Sequence, residues 1–136
     1  MVKGFTLRDF VIESNRIEGI VREPTEEEIR LHRLLLKLDR ITVADLCNFC
    51  NLIEKGALLR DQLGMDVIVG AHTPPPGGVM IRSRLMRLLD SFHDLTPLEF
   101  HMFYEGLHPF MDCNGRSGRA LWLKRMGGIE HAPLRS

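Results

Sequence analysis

Apolar residues recur at three- and four-residue intervals along most of the chain, which is the spacing of amphipathic helices. Four of the predicted helices begin at a threonine whose hydroxyl can cap a helix: Thr6, Thr25, Thr42 and Thr96. Thr25 also has Glu28 three residues later, the spacing of a capping box. We expect the first helix to end near Gly19, the second to run to about Leu38 and the third to stop before Gly56.

Three further helices are predicted in the second half of the chain. Helical spacing returns between Val79 and Phe92. The next helix contains the unusually apolar stretch 98–107, so we expect it to lie at the centre of the bundle. The last helix begins at Gly115 or Arg116, after a short polar loop.

Residues 60–78, between the third and fourth predicted helices, break the helical spacing. They contain four glycines, three consecutive prolines and one β-prone run at 67–69. We expect a short hairpin that turns at Gly64 and has its second strand at 65–69. Because two strands alone are marginally stable, the hairpin must lean on helices or form an exposed edge. The predicted fold class is therefore mostly α, a helical bundle with one β-hairpin flap.

Composition narrows the class of protein. The 136 residues and 15.6 kDa predict one domain, 1–136, and 18 basic residues balance 18 acidic ones. A net charge of zero argues against a general nucleic-acid binder. No apolar run reaches the roughly 18 residues that a membrane span needs, and the N-terminus has no apolar core of signal-peptide length. Three cysteines, an odd number, favour a reducing compartment, so we expect a cytoplasmic protein with no nucleic-acid or membrane partner.

Chemically useful residues concentrate in the stretch 107–119, LHPFMDCNGRSGR. A helix N-terminus with small residues is an anion site, and Arg116 and Arg119 leave the same helical face to add donors for phosphate oxygens. Asp112 beside such a site is a natural Mg²⁺ ligand, and a neutral His108 could take a proton from a hydroxyl. The combination predicts phosphoryl or nucleotidyl transfer from a Mg²⁺-nucleotide. The plainer alternative is a helix cap with two solvent-facing arginines. The number of chemically reactive or phosphate-binding residues in so short a stretch argues against it.

The pattern His-Pro-Phe-x-Asp-x-Asn-Gly-Arg-x-x-Arg, which here runs from His108 to Arg119, resembles the signature of Fic domains. Residues 60–76 are similar to the family's β-hairpin flap and its proline-rich exit, so the resemblance covers nearly the whole chain. It implies a Fic-type bundle that transfers AMP from ATP to a Ser, Thr or Tyr hydroxyl of a target protein and releases pyrophosphate.

The resemblance also implies a role for each residue of the stretch 108–119. His108 would be the general base, Asp112 would hold Mg²⁺, and Phe110 would pack inward. The implied nucleotide-binding residues are those of the anion hole and the two arginines: Cys113, Asn114, Gly115, Arg116 and Arg119.

Cys113 departs from the family pattern, which usually has Gly or Ala at this position. If the backbone there needs a positive φ, a Cβ costs about 1 kcal/mol of strain. A thiol at a helix N-terminus could also have a lowered pKa, although the simpler interpretation is that cysteine is small enough to be tolerated.

The flap has its own implied role in target binding. Val67, Ile68 and Val69 would pair with an extended segment of the target by strand addition and so align its hydroxyl.

The segment from Ser14 to Gly19 resembles the inhibitory-helix motif of the same family, Ser/Thr-x-x-x-Glu-Gly/Asn, within a predicted inhibitory helix at 6–22. Ser14 and Glu18 lie one helical turn apart, so the hydroxyl can help to orient the carboxylate. The resemblance implies that Glu18 pairs with Arg119 and that ATP then binds unproductively. The alternative is a surface glutamate on a first helix.

Other functions stay open at this point. Relatives transfer other phosphate-containing groups, but the phosphorylating Doc branch tends to have Lys where this chain has Gly115. Removal of AMP, with Glu18 positioning water, is a second alternative, and a silent peptide-binding module is a third. A homo-oligomer is possible. Cys47 and Cys50 have the spacing of a zinc half-site, but no second pair exists, so we expect core cysteines.

Overall fold

A computed structural model describes residues 4–129 of the chain, and within this range it contains helices and no strand. The helices are α1 (Leu7–Ile17), α2 (Glu26–Lys37), α3 (Val43–Ile53), α4 (Val79–Asp90), α5 (Pro97–Leu107) and α6 (Asn114–Arg125). The prediction of a mostly helical bundle is confirmed. None of the helices between residues 4 and 129 has the length and apolar character that crossing a membrane requires.

Four helices begin as their sequences predict. The hydroxyls of Thr6, Thr25, Thr42 and Thr96 each accept a hydrogen bond from the amide three residues later. The carboxylate at that later position in turn accepts one from the backbone N–H of the threonine. Such capping boxes satisfy amides that a helix leaves unpaired. Because these signals are local, the predicted helix starts are confirmed to within a residue.

The apolar core lies between α2, α3, α4, α5 and α6. Seven of the twelve residues of α6 are buried, so this helix, and not α5 alone, runs through the interior. Gly118 allows α5 and α6 to approach closely, because a Cβ there would lie 2.8 Å from Glu105 Oε1 and 3.2 Å from Tyr104 Cδ2. Cys50 is fully buried in this core and Cys47 packs against it, as the sequence predicted.

The expectation that α5 is central holds for only one of its faces. Phe100, Tyr104 and Leu107 are buried, whereas three large apolar side chains of α5 are mostly exposed: Leu98 at 66%, Met102 at 63% and Phe103 at 58%. The apolar residues of α5 therefore lie on two faces, one packed against the core and one exposed.

The predicted β-hairpin flap at 60–76 is wrong as a strand pair. The chain does turn at Gly64 (φ +89°), but Met65 N–H donates back to Gln62 O and no ladder follows. A single bridge joins Val69 to His72 across the tight turn at Gly70.

The segment that leads into the predicted hairpin pairs with another part of the chain. Arg60 N–H donates to Pro109 O, and Met111 N–H donates to Leu58 O, so residues 58–60 bind the loop that follows α5. The run 67–69 has no partner strand and little to pack on, since Ile68 is 78% exposed. Two strands without a supporting face are marginal, which accounts for the missing ladder.

Candidate active site

The loop between α5 and α6, residues 108–113, is held by a short-range clamp. The side chain of Asn114 accepts from Phe110 N–H at 2.9 Å and donates to Phe110 O at 2.8 Å. Phe110 is fully buried in the core. Phe110 thus packs inward as the resemblance implied, and the Asn114 side chain is committed to the loop itself.

His108 ends α5 in the left-handed conformation, with φ 49° and ψ 63°. Its half-buried imidazole makes no hydrogen bond within residues 4–129. Burial lowers the pKa of His108, the neighbouring charges of Arg60 and His72 lower it further, and Asp112 opposes them. A lowered pKa keeps the imidazole neutral at pH 7, which is the state a general base needs.

A buried arginine that sequence reasoning missed fixes the backbone of this turn. Arg60 is fully buried, and its Nε–H donates to His108 O at 2.7 Å while Nη2–H donates to Leu107 O at 3.0 Å. Nη1–H donates to Met65 O at 2.9 Å, so the same side chain ties the segment after α3 to the end of α5. Two of its three acceptors, the carbonyls of Leu107 and His108, lie at the negative end of the α5 dipole. Nothing in the local sequence around residue 60 signals this long-range role.

Asp112 lies on the exposed side of the loop. Its Oδ1 accepts from Cys113 N–H at 2.7 Å and lies 3.8 Å from Arg116 Nη2. Among the described residues no group of three or more His, Cys, Asp or Glu side chains could hold a metal ion. A single exposed carboxylate beside an anion site suits Mg²⁺, which is commonly held by one or two carboxylates together with phosphate oxygens and water.

Cys113 begins α6 in the left-handed conformation, with φ 72° and ψ 9°. The thiol is buried in the core and forms no capping hydrogen bond. Because φ is positive, the Cβ of Cys113 costs about 1–2 kcal/mol of strain. The amides of Asn114, Gly115 and Arg116 have no hydrogen-bond partner within residues 4–129. Open amides at a helix N-terminus favour an anion.

Arg116 supplies charged donors to the same place. Its side chain is 4% exposed, and its Nη2–H donates to Glu54 Oε1 at 2.8 Å. Burial opposes the charged form, but the bond to Glu54 raises the pKa of Arg116 above its ordinary value. Nε and Nη1 are buried and have no partner among the described residues. Buried donors of a cation are seldom left unpaired, so this guanidinium is suited to receive an anionic ligand.

Glu54, the residue that orients Arg116, was also missed by sequence reasoning. It follows the last residue of α3, and 62 positions separate the two partners. The local sequence holds no signal for a pair at this separation.

Helix α1 reaches the site through Arg119. Arg119 Nη2–H donates to Glu18 Oε2 at 2.9 Å and to Ser14 O at 2.9 Å, and its Nε–H donates to Ser14 Oγ at 2.9 Å. A Cβ on Gly115 would lie 2.5 Å from Glu18 Oε2. The carboxylate of Glu18 therefore lies against Gly115 in the first turn of α6.

The flap residues make no hydrogen bond or ion pair with the residues of this cluster within residues 4–129. Val67 is partly buried, whereas Ile68 and Val69 are exposed. The turn they enter is tied to α5 by His72, whose Nε2–H donates to Gly106 O at 3.0 Å.

No family model matches the chain. Over 77 residues it is 39% identical to the "Protein adenylyltransferase Fic" of Drosophila yakuba, a match that covers 51% of this chain and 15% of that protein. The similarity thus relates part of this chain to a Fic adenylyltransferase, and the chain spans a small fraction of that relative's length.

Proposed function

We propose that this chain is a Fic-like nucleotidyltransferase that moves AMP from ATP to a Ser, Thr or Tyr hydroxyl of a target protein. The observation that carries the proposal is the pair of unpartnered buried donors on Arg116, beside the open amides of α6 and the half-buried His108. This arrangement offers an anion site and a neutral base on one loop. The partial similarity to a Fic adenylyltransferase supports the same chemistry.

The residues divide the work of the transfer. His108 takes the proton of the target hydroxyl, whose oxygen forms a bond to the α-phosphorus of ATP. The bond from the α-phosphorus to the bridging α–β oxygen breaks, and pyrophosphate leaves with the electron pair. The amides of residues 114–116 and the Arg116 guanidinium bind phosphate oxygens, and Arg119 reaches the outer phosphates. Asp112 would hold Mg²⁺, which supplies neutralisation of phosphate charge when bound.

In the proposed resting state, Glu18 inhibits this reaction. Its carboxylate occupies Arg119 and stands over Gly115, where a phosphate group would bring like charge against it. The pair is partly shielded from solvent, with side-chain exposures of 20% for Arg119 and 35% for Glu18. For a regulatory contact we expect a coupling of about 1–3 kcal/mol, equivalent to about 5–150-fold in productive nucleotide binding.

Intact-mass analysis of the Glu18→Gly protein after incubation with ATP and Mg²⁺ tests both proposals. We expect the variant to gain AMP on its own side chains faster than wild type. The matched Glu18→Gly/His108→Ala protein should lose about 10²–10⁴-fold of that rate while it still binds ATP. Glu18→Gly/Arg119→Ala should also lose the gain, because Arg119 is needed once the inhibitor is removed.

The outcomes separate the two proposals. If no variant gains AMP with any hydroxyl acceptor, the transfer function is wrong. If wild type and Glu18→Gly gain AMP at the same rate, transfer stands and inhibition by Glu18 does not.

Removal of AMP from a modified protein is a second candidate function. The observation that favours it is the Glu18 carboxylate facing the anion site, where it could orient a water molecule towards phosphorus. In that case Glu18→Gly would lose hydrolysis of an AMP-modified protein while it gains transfer.

A further inference from the structure

An open groove of about 610 Å³ lies between α4 and α5. Its walls are largely apolar and include Leu88 and Leu95 on one side and the exposed Met102 and Phe103 on the other. A groove of this size falls within the range of ligand-binding clefts.

The charged residues that line the groove are both basic. Arg84 and Arg87 lie one helical turn apart on α4, and neither makes an ion pair within residues 4–129. Other exposed arginines of the described chain, such as Arg40 and Arg82, do pair with carboxylates. The groove therefore combines an apolar floor with two uncompensated cations and is complementary to an apolar segment that carries carboxylates.

The groove extends along α5 to the end of the helix that precedes the candidate base. Gly106 and Leu107 line its end, and His108 is the next residue of the chain. Pro75, from the segment that follows the Val69–His72 bridge, lines it from the other side.

The rise of an α-helix sets the distance from the groove to the base. Along the axis of α5, Met102 and Leu107 are about 8 Å apart, a distance that an extended peptide spans in roughly three residues. A polypeptide whose hydroxyl lies at His108 can therefore reach the groove with side chains about three to five residues away.

We infer that this groove binds a segment of the target protein in which an apolar side chain and one or two carboxylates lie close to the modified hydroxyl. The inference rests on the proposed transfer function and adds a substrate class to it. The apolar side chain packs against Phe103 and Met102, whose thioether adapts to different partners. The carboxylates pair with Arg84 and Arg87.

A peptide array tests this inference. Each peptide carries one Thr or Tyr hydroxyl, and Asp, Lys, Leu or Gly is varied three to five residues to either side. The enzyme is the full Glu18→Gly chain, with ATP labelled on the α-phosphate. We expect the strongest labelling where an acidic and an apolar residue occur together.

Charge reversal supplies the decisive comparison. Arg84→Glu/Arg87→Glu, made in the Glu18→Gly chain, should invert the preference from Asp to Lys, with a change of about tenfold or more in the labelling ratio, since two attractive pairs become repulsive. Arg33→Glu is the matched control, because Arg33 is exposed on α2, away from the groove, and should leave the ratio unchanged. Phe103→Ala should raise the KM for acidic-apolar peptides and leave their kcat in place.

The inference and the function on which it rests fail in different ways. If the Glu18→Gly chain labels neither itself nor any peptide, the transfer function is wrong. Three results would refute the proposed role of the groove. These are self-labelling without labelled peptides, equal labelling of all peptides, and a preference that charge reversal does not invert. Sedimentation that shows a dimer which Phe103→Ala dissociates would also refute it, because the groove would then bind a second copy of this chain.

Discussion

Arg60 offers a test of how the candidate base is held in place. Its guanidinium is fully buried and donates to three backbone carbonyls, of which two belong to Leu107 and His108. The third acceptor is Met65 O, at the base of the segment that leads to the flap residues. We compare Arg60→Met, which removes both charge and donors, with Arg60→Lys, which keeps the charge but loses the planar fork. Both are made in the Glu18→Gly protein, so that inhibition does not mask the rates.

The expected loss of stability follows from these contacts. Each buried carbonyl left without a donor costs about 1–3 kcal/mol, so three of them cost roughly 3–9 kcal/mol. Removal of the guanidinium also removes its own desolvation penalty, which is several kcal/mol. We expect Arg60→Met to lose about 3–4 kcal/mol of unfolding free energy and Arg60→Lys to lose less, since an ammonium can still serve one or two of the carbonyls.

The kinetic effect should fall on kcat. Misplacement of a catalytic group by about 1 Å costs on the order of 100-fold, and Arg60 fixes the left-handed turn that aims His108. In the proposed mechanism ATP binds at α6, to which Arg60 makes no hydrogen bond, so the KM for ATP should stay within about twofold of the parent value. Loss of the nearby charge also raises the pKa of His108, so the acid limb of the pH–rate profile moves to higher pH in Arg60→Met but not in Arg60→Lys.

Urea unfolding and steady-state transfer kinetics measure these effects. A folded Arg60→Met protein with the parental kcat would refute the reasoning, as would a rise in the KM for ATP that matches the fall in kcat. If Arg60→Met does not fold, Arg60→Lys carries the kinetic test, with a reduced kcat and an unmoved acid limb as the expected result.

Three further predictions concern the loop and the first turn of α6. Gly115→Ala should disrupt the Glu18–Arg119 pair, because its methyl group would lie 2.5 Å from Glu18 Oε2 and 2.9 Å from Arg119 Nη1; a crystal structure of the variant with the pair intact would count against this. The pH–rate profile should stay flat through neutrality and fall only as the pH drops through the lowered pKa of His108, below the ordinary value of about 6.5; a fall centred above that value would contradict a neutral base. Cys113→Gly should be more stable than Cys113→Ala by about 1 kcal/mol in urea unfolding, because only alanine keeps a Cβ at positive φ; the reverse order would show that the turn is not strained.

The helices were predictable because their signals are local. Thr25 and Glu28 form their capping box within four residues, and the left-handed Gly19 follows the end of α1 where the sequence placed it. The start of α6 was placed one or two residues late, since the left-handed conformation of Cys113 lets the helix begin at Asn114. A cysteine gives no local indication of positive φ, because glycine is the residue that favours it.

The remaining errors arise from contacts that are distant in sequence. The β-prone run 67–69 predicted the second strand of a hairpin that turns at Gly64, but no ladder forms there, and the chain at Arg60 bonds to the loop that follows α5. The apolar stretch 98–107 predicted a central helix, yet apolar spacing cannot distinguish a face that meets the core from one that lines an open groove. Neither the pairing of Arg60 with His108 nor that of Glu54 with Arg116 has a local sequence signal.

The sequence motif at residues 108–119 predicted the loop between α5 and α6 better than the sequence predicted the hairpin or the long-range contacts. Part of the shape of this loop comes from its own residues, since Asn114 clamps Phe110, and His108 and Cys113 supply the two left-handed positions. A short pattern can therefore specify both the geometry and the chemical groups. The contact between Glu18 and Arg119 joins residues 101 positions apart, and only the resemblance led to it. From outside the motif, Arg60 bonds to this loop and Glu54 bonds to Arg116 in α6, so variants at these two residues test whether the motif is sufficient to place its own base and cation.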